Sequence, residues 1–323
     1  MKGIVTRNAG MVAGYLLAGL VMIYLSYCLP RLLPGDHVTA MYAGSHVTLS
    51  AGQEVELKAF YGDGDGFTRY LTNLFSLNWG QSLAYPDSVV ALFLKALPWT
   101  LLLMGCAHVL SMFFGFIAGV EAAWRRGSRF EKAGVGLMTF LQGIPEIGSG
   151  VILLLIFSLH LGWFPAFGAE TAYAEFSGLS RLMDVLHHLA LPLVTLMLAY
   201  FPGNFILARA SMVMTMREKF VATAKAKGLT ALRIRYAHAA RNALIPVVTR
   251  FGLRIAFMVT GALVVETVYS YPGLGTLLFN AVSMRDLPLI QGIVLMSSLM
   301  VLLVNLILEF VYIMLDPRVR HAG

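Results

Sequence analysis

The feature that most constrains this chain is a series of apolar runs, each long enough to cross a bilayer. A helix spans the hydrocarbon layer in about 20 apolar residues. Six runs of that kind fall at about 9–33, 97–123, 133–162, 187–208, 243–265 and 289–315. Only 13% of the residues are charged, against about 25% in soluble domains. So few charges cannot clothe a water-facing surface, and the expectation is an all-α integral membrane fold with six spans. Pro and Gly interrupt several runs, which bundled membrane helices tolerate when neighbours satisfy the freed backbone groups. Lys2 and Arg7 precede the first run as in a secretory signal. The run is too long for a signal core of roughly 7–15 residues, and Tyr27 is too bulky beside a lipoprotein-type cysteine at Cys28. A retained helix is expected.

Lys and Arg set the orientation. Lys2, Arg7, Arg125, Arg126, Arg129, Lys132, a dense set from Arg209 to Arg241, and Arg318 and Arg320 all fall on one side of a six-span arrangement. The other side has Lys58, Arg69, Lys95, Arg181 and Arg285. Both termini are therefore expected in the cytoplasm, and the net charge of +7 reads as membrane topology, not nucleic-acid binding. The expected organisation is a first helix at 1–33, an external segment at 34–95, a five-helix core at 96–315 with a cytoplasmic loop at 209–242, and a cytoplasmic tail at 316–323. Asp63-Gly64-Asp65-Gly66 lacks the rest of a twelve-position calcium loop and reads as a polar turn. Cys28 and Cys106 offer neither a metal spacing nor a disulfide framework.

The second run carries Ala107, Ser111, Gly115, Gly119 and Ala123, each four apart and so on one helix face. Small residues allow backbones to approach closely where lipid supplies no hydrophobic push between helices. This face is expected to lie against another helix. In the loop at 209–242, Phe220 to Leu229 has helix-forming composition with a Gly stop. Such a short basic helix can dock in a partner's groove, or be a solvated loop that only sets topology.

The same stretch resembles the EAA loop of ABC importer permeases of the peptide, nickel and opine type. The resemblance rests on Thr223-Ala224-Lys225-Ala226-Lys227-Gly228-Leu229, then His238, Arg241-Asn242-Ala243-Leu244 and Pro246. It continues through Val265-Glu266-Thr267-Val268-Tyr269-Ser270-Tyr271-Pro272-Gly273-Leu274-Gly275, Arg285-Asp286-Leu287-Pro288 and Asp316-Pro317-Arg318, with Leu33-Pro34-Gly35-Asp36 near the start. It implies a type I ABC importer permease fold, paired with a second homologous permease, two ATP-binding subunits that hold ATP and magnesium, and an external solute-binding protein. Thr223 to Leu229 would sit in an ATPase groove and transmit its movement. Glu266, Tyr271, Pro272 and Gly273 would shape an external vestibule or gate. The chain departs from the family at Phe220, Lys225, the segment from Tyr61 to Gly66, and Asn78 to Ser82.

Uphill import needs energy, and a P-loop needs Gly-Lys-Ser or Gly-Lys-Thr. The sequence has no Gly-Lys dipeptide, so no such ATPase is expected in this chain, nor is a cofactor. The alternatives are an ion-coupled secondary transporter or channel, and a membrane-embedded enzyme. The absence of a clear internal repeat weighs against the first, and the lack of a clustered nucleophile and base weighs against the second.

Ionisable residues at membrane depth are functional candidates because they are costly there. Glu146 follows Pro145 near the middle of the third run, where a kink is expected. Arg250 and Arg254 share a face of the fifth. They either pair with Glu146 or snorkel, or they line the pathway and favour a carboxylate-bearing solute such as a peptide, an opine or a nickel or metallophore chelate. Interhelical hydrogen bonding is the expected role of His108, His160, Asn305 and Glu309. His187 and His188 are adjacent and so a weak metal candidate.

Overall fold

The computed structural model describes residues 2–31, 52, 67–76, 78–258, 262–284 and 286–315. The Leu33 to Asp36 motif, Tyr61 to Gly66, Arg285 and the tail from Asp316 lie outside them. Among the described residues the chain is helical, with a single isolated bridge between Gln81 and Ser88. The helices are α1 (Lys2–Arg31), α2 (Phe67–Phe75), α3 (Val89–Trp124), α4 (Arg129–Gln142), α5 (Glu146–Leu153), α6 (Gly178–Thr215), α7 (Lys219–Ala226), α8 (Ala231–Arg233), α9 (Arg241–Met258), α10 (Leu263–Val268), α11 (Leu274–Ser283) and α12 (Leu287–Leu315). Wider π-type turns continue α5 over Leu154–His160 and α8 over Ile234–Ala240.

The chain divides into two compact units. The first comprises residues up to Trp99, Val259–Leu263 and everything from Gly273 on. In it α1 and α11 pack along α12. Tyr70 of α2 donates to Ser26 Oγ at 3.2 Å, and Phe67 meets the rings of Tyr24 and Tyr27 edge-on. Val89, Phe93, Leu274, Ala281 and Leu289 make its main apolar cluster. Asp286, fully buried, organises the turn before α3. Its Oδ2 accepts from Ser82 Oγ (2.5 Å), Leu83 N (2.9 Å) and Ala84 N (3.0 Å). Its Oδ1 accepts from Leu289 N at 3.1 Å, so the same carboxylate caps α12.

The second unit holds Thr100–Met258 and Val264–Pro272. The small-residue face lies where the sequence places it: Ala107, Ser111, Gly115, Gly119 and Ala123 are all buried. The backbone of α6 runs directly over it. A Cβ on Gly119 would meet Phe205 O at 2.6 Å and Ala208 Cβ at 2.8 Å, and one on Gly115 would meet Asn204 Cβ at 2.8 Å. Helices α4, α5 and α9 also pack on α6, which carries Pro192 and Pro202 without interruption.

By length and apolarity, three helices qualify as spans among the described residues: α3, α6 and α12. A fourth is formed if α4 and α5 count as one. The expected kink in the third run is a break: α4 ends at Gln142, Pro145 caps the restart, and the axes differ by 95°. Gly143 and a residue forced out of the α region by the following proline explain why no continuous helix crosses here. The fifth run falls short because α9 carries Arg241, Arg250 and Arg254 within 18 residues, and the apolar stretch of α1 is Val12–Cys28. Six unbroken spans are thus not found among the described residues, whereas the helical and apolar character is.

Candidate functional site

Helix α7 begins after Glu218 with no side-chain cap and ends at a glycine in the left-handed region, Gly228 with φ +70°. Gly228 N donates to Lys225 O at 3.0 Å and Leu229 N to Ala224 O at 3.4 Å. This is the pattern of a Schellman stop, which glycine closes without the steric penalty a Cβ brings. The helix therefore has a fixed end and two distinct faces. Val221 and Ala224 turn inward and, with Leu229, join a cluster of Val120 and Ala123 from α3, Met212 from α6, and Ile234, Ala239, Ala240 and Ala243. Thr223, Lys225, Ala226, Lys227 and Gly228 are exposed. Of the seven coupling candidates, five therefore present a surface and two anchor it.

Polar bonds hold the surroundings of α7 in place. Arg235 Nη1 donates to Glu121 Oε1 at 2.6 Å, and Tyr236 donates to the same oxygen at 2.6 Å, which pushes the Tyr236 phenol up. The Arg235 guanidinium also stacks on Trp124, 4.8 Å from the ring centre. Glu131 accepts from Gly127 N at 2.5 Å and from Arg209 Nε at 2.8 Å, with a second bond to Arg209 Nη2. Ser128 caps α4 by accepting from Glu131 N. Ser211 Oγ donates to Ala243 O at 2.9 Å. The Ser128-x-x-Glu131 spacing was legible as a capping signature. The long-range arginine partners carried no local signal.

The external candidates occupy a tightly bonded turn. Glu266 is fully buried and accepts from Thr100 Oγ1 at 2.8 Å. Tyr271 is fully buried, its N–H donates to Glu266 O at 2.8 Å, and burial pushes its phenol up. Between them Tyr269 donates to Gly150 O at 3.0 Å and shares a 2.9 Å bond with Thr195 Oγ1. Pro272 is exposed and Gly273 buried. Glu266 and Tyr271 thus fix the turn from inside, and Pro272 is its outward residue.

The membrane charges meet partners that sequence reading did not name. Arg250 Nη1 donates to Gly203 O at 3.1 Å. Arg254 stacks on Tyr200, 5.5 Å from the ring centre, and Tyr200 in turn lies 4.5 Å from the His108 ring. Glu146 stands close enough to feel the charge of Arg254. Among the described residues no ion pair within 4.0 Å joins Glu146 to an arginine, so the tight pairing considered from sequence is not formed. His187 Nε2 bonds Trp163 O at 2.8 Å, and no group of three metal-ligating side chains occurs among the described residues.

The second unit thus packs α3 on α6 through a small-residue face and carries α7, stopped at Gly228, on a buried cluster. The chain belongs to the family described as binding-protein-dependent transport system inner membrane component, which it matches over residues 111–321. It is 34% identical to the di/tripeptide transport system permease protein DppB of Pseudomonas aeruginosa, covering 92% of this chain and 93% of that protein. It is 33% identical to the oligopeptide transport system permease protein AppB of Bacillus subtilis, with the same coverage. The glutathione transport system permease protein GsiC of Pectobacterium atrosepticum is 34% identical over 94% of each chain. The fold is similar to a chain of the inward-facing MetNI methionine ABC transporter, with a TM-score of 0.56 at 13% identity, covering 72% of this chain and all of that one.

Proposed function

We propose that this chain is a transmembrane permease subunit of an ATP-driven importer fed by a solute-binding protein. It carries peptides or related small carboxylate-bearing solutes, a class that includes opines and nickel or metallophore chelates. Relatives named for di/tripeptide, oligopeptide and glutathione transport support the peptide end of that range. The chain performs no covalent chemistry. Two ATP-binding subunits hold ATP and magnesium, a second homologous permease completes the pore, and the binding protein delivers solute from outside. Both termini and the 209–242 loop face the cytoplasm, and 34–95 faces out.

The observation that carries this reading is the exposed face of α7, set on a buried cluster that ties it to α3, α6 and α9. A groove that grips Thr223, Lys225, Ala226 and Lys227 and moves would move those three long helices with it. Glu146, Arg250 and Arg254 lie along the pathway, and the Glu266–Gly273 turn closes its external end. The test is Gly228→Val. A β-branched residue at φ +70° is strained by about 1–2 kcal/mol, which unwinds the end of α7 while leaving its inward face in place. Co-purification with the ATPase subunits is expected to fall at least tenfold, with membrane insertion retained. Undiminished association would remove α7 as the grip.

A further inference from the structure

Three side chains from three helices meet in the second unit, His108 of α3, Tyr200 of α6 and Arg254 of α9, and Glu146 of α5 lies within range of the Arg254 charge. His108 and Tyr200 lie within four residues of the middle of α3 and α6, two helices long and apolar enough to cross the bilayer, and Arg254 of α9 is brought to that depth by its place over the Tyr200 ring. Ionisable groups at that depth are expensive and persist where they serve a function. Arg250 lies one turn from Arg254 and is spent on the Gly203 carbonyl. Arg250 adds a second positive charge one turn from Arg254, and Arg254 forms no ion pair within 4.0 Å with Glu146 among the described residues, so a bound anion would find positive charge to neutralise. The Arg254 guanidinium lies over the Tyr200 ring, 5.5 Å from the centre, a cation–π contact that does not consume the N–H donors a carboxylate takes in bidentate fashion. His108 Nδ1 is engaged with Met104 O at 2.9 Å, so its ring is fixed beside Tyr200. Glu146, Tyr200 and Arg254 are all partly exposed and thus reachable.

We propose that Arg254, held on Tyr200 and His108, is a mid-membrane station for the carboxylate of the transported solute, and that Glu146 competes for the same guanidinium to let the solute leave. The inference rests on the importer reading and extends it from a solute class to the atoms that receive it. The solute's carboxylate takes the in-plane donors of Arg254. Its departure returns Arg254 to the field of Glu146, so the site is never left with a bare cation in the membrane.

The test uses the complete complex in proteoliposomes with its binding protein. It compares the uptake of dialanine with that of dialanine amide, which lacks the anionic terminus. Taking each variant's acid-to-amide rate ratio relative to wild type cancels the binding protein's own preference. Arg254→Gln is expected to lower that ratio about tenfold, as loss of a charge-assisted hydrogen bond predicts, while Arg254→Lys keeps most of it. Glu146→Gln removes the competitor and raises the ratio. An unchanged ratio in an Arg254→Gln complex that still imports dialanine overturns the station. If that variant does not assemble, Glu146→Gln decides: a raised ratio supports the station and an unchanged one overturns it. Wild-type complex that shows no ATP-dependent uptake of either probe removes the peptide reading of the solute, and with it the station as a receiver of a peptide carboxylate.

Discussion

Substituting Gly119 with Ala should separate two helices whose backbones are in contact. The added Cβ would stand 2.6 Å from Phe205 O, 2.8 Å from Ala208 Cβ and 2.9 Å from Arg209 N. None of these atoms is the end of a flexible side chain, so the strain cannot be relieved by a rotamer change. Comfortable carbon–carbon contact begins near 3.5 Å, so α3 and α6 would have to part by about 0.7 Å at Ala208. Overpacking of this kind costs about 1–3 kcal/mol, set against about 1 kcal/mol gained from replacing glycine inside a helix. A net loss of up to about 2 kcal/mol follows. Gly105 on the same helix is the control, because nothing lies within 4 Å of a Cβ there and Gly105→Ala should be neutral or slightly stabilising. Cys106 is free and half-buried on α3, so its modification by a thiol-reactive dye during detergent unfolding reports the transition. Equal midpoints for the two alanine variants would refute the close approach of α3 and α6.

Asp286→Ala removes the acceptor of three bonds from Ser82, Leu83 and Ala84 and the cap of α12. Hydrogen bonds to a charged group contribute about 1.5–3 kcal/mol, so the 78–88 turn should become protease-sensitive while α12 stays inserted. Tyr269→Phe deletes the bonds to Gly150 and Thr195 at about 1 kcal/mol each, and a lowered thermal midpoint checks it. Glu131→Gln leaves Arg209 with a neutral acceptor and should weaken the joint between α4 and α6. The readout is faster hydrogen exchange of the Gly127 and Glu131 amides.

Features governed by local rules were legible in the sequence. The four-residue spacing of Ala107 to Ala123 and the glycine stop at Gly228 each follow from one stretch of chain obeying one local rule, and each is present, while of the six apolar runs three form unbroken helices long and apolar enough to span among the described residues. The 95° break at Pro145 was legible only as a kink. A proline sets where a helix ends, but packing on α6 sets the angle at which the next one leaves. The partners of Arg254 and Arg235 were not legible at all. Tyr200 and Glu121 lie 54 and 114 residues from them in the chain, and nothing in the local pattern of either segment records the meeting. The buried role of Asp286 was hidden for the same reason, since its acceptors' donors lie about 200 residues earlier.

The central claim is that movement of this chain is driven from outside it, through the exposed face of α7. Solute accumulation in sealed proteoliposomes tests it most directly, comparing the complete complex, the complex lacking its ATPase subunits, and this chain alone under an imposed proton or sodium gradient. The account predicts accumulation only where ATP and the ATPase subunits are both present, and none under either gradient. Gradient-driven accumulation by this chain alone would contradict it.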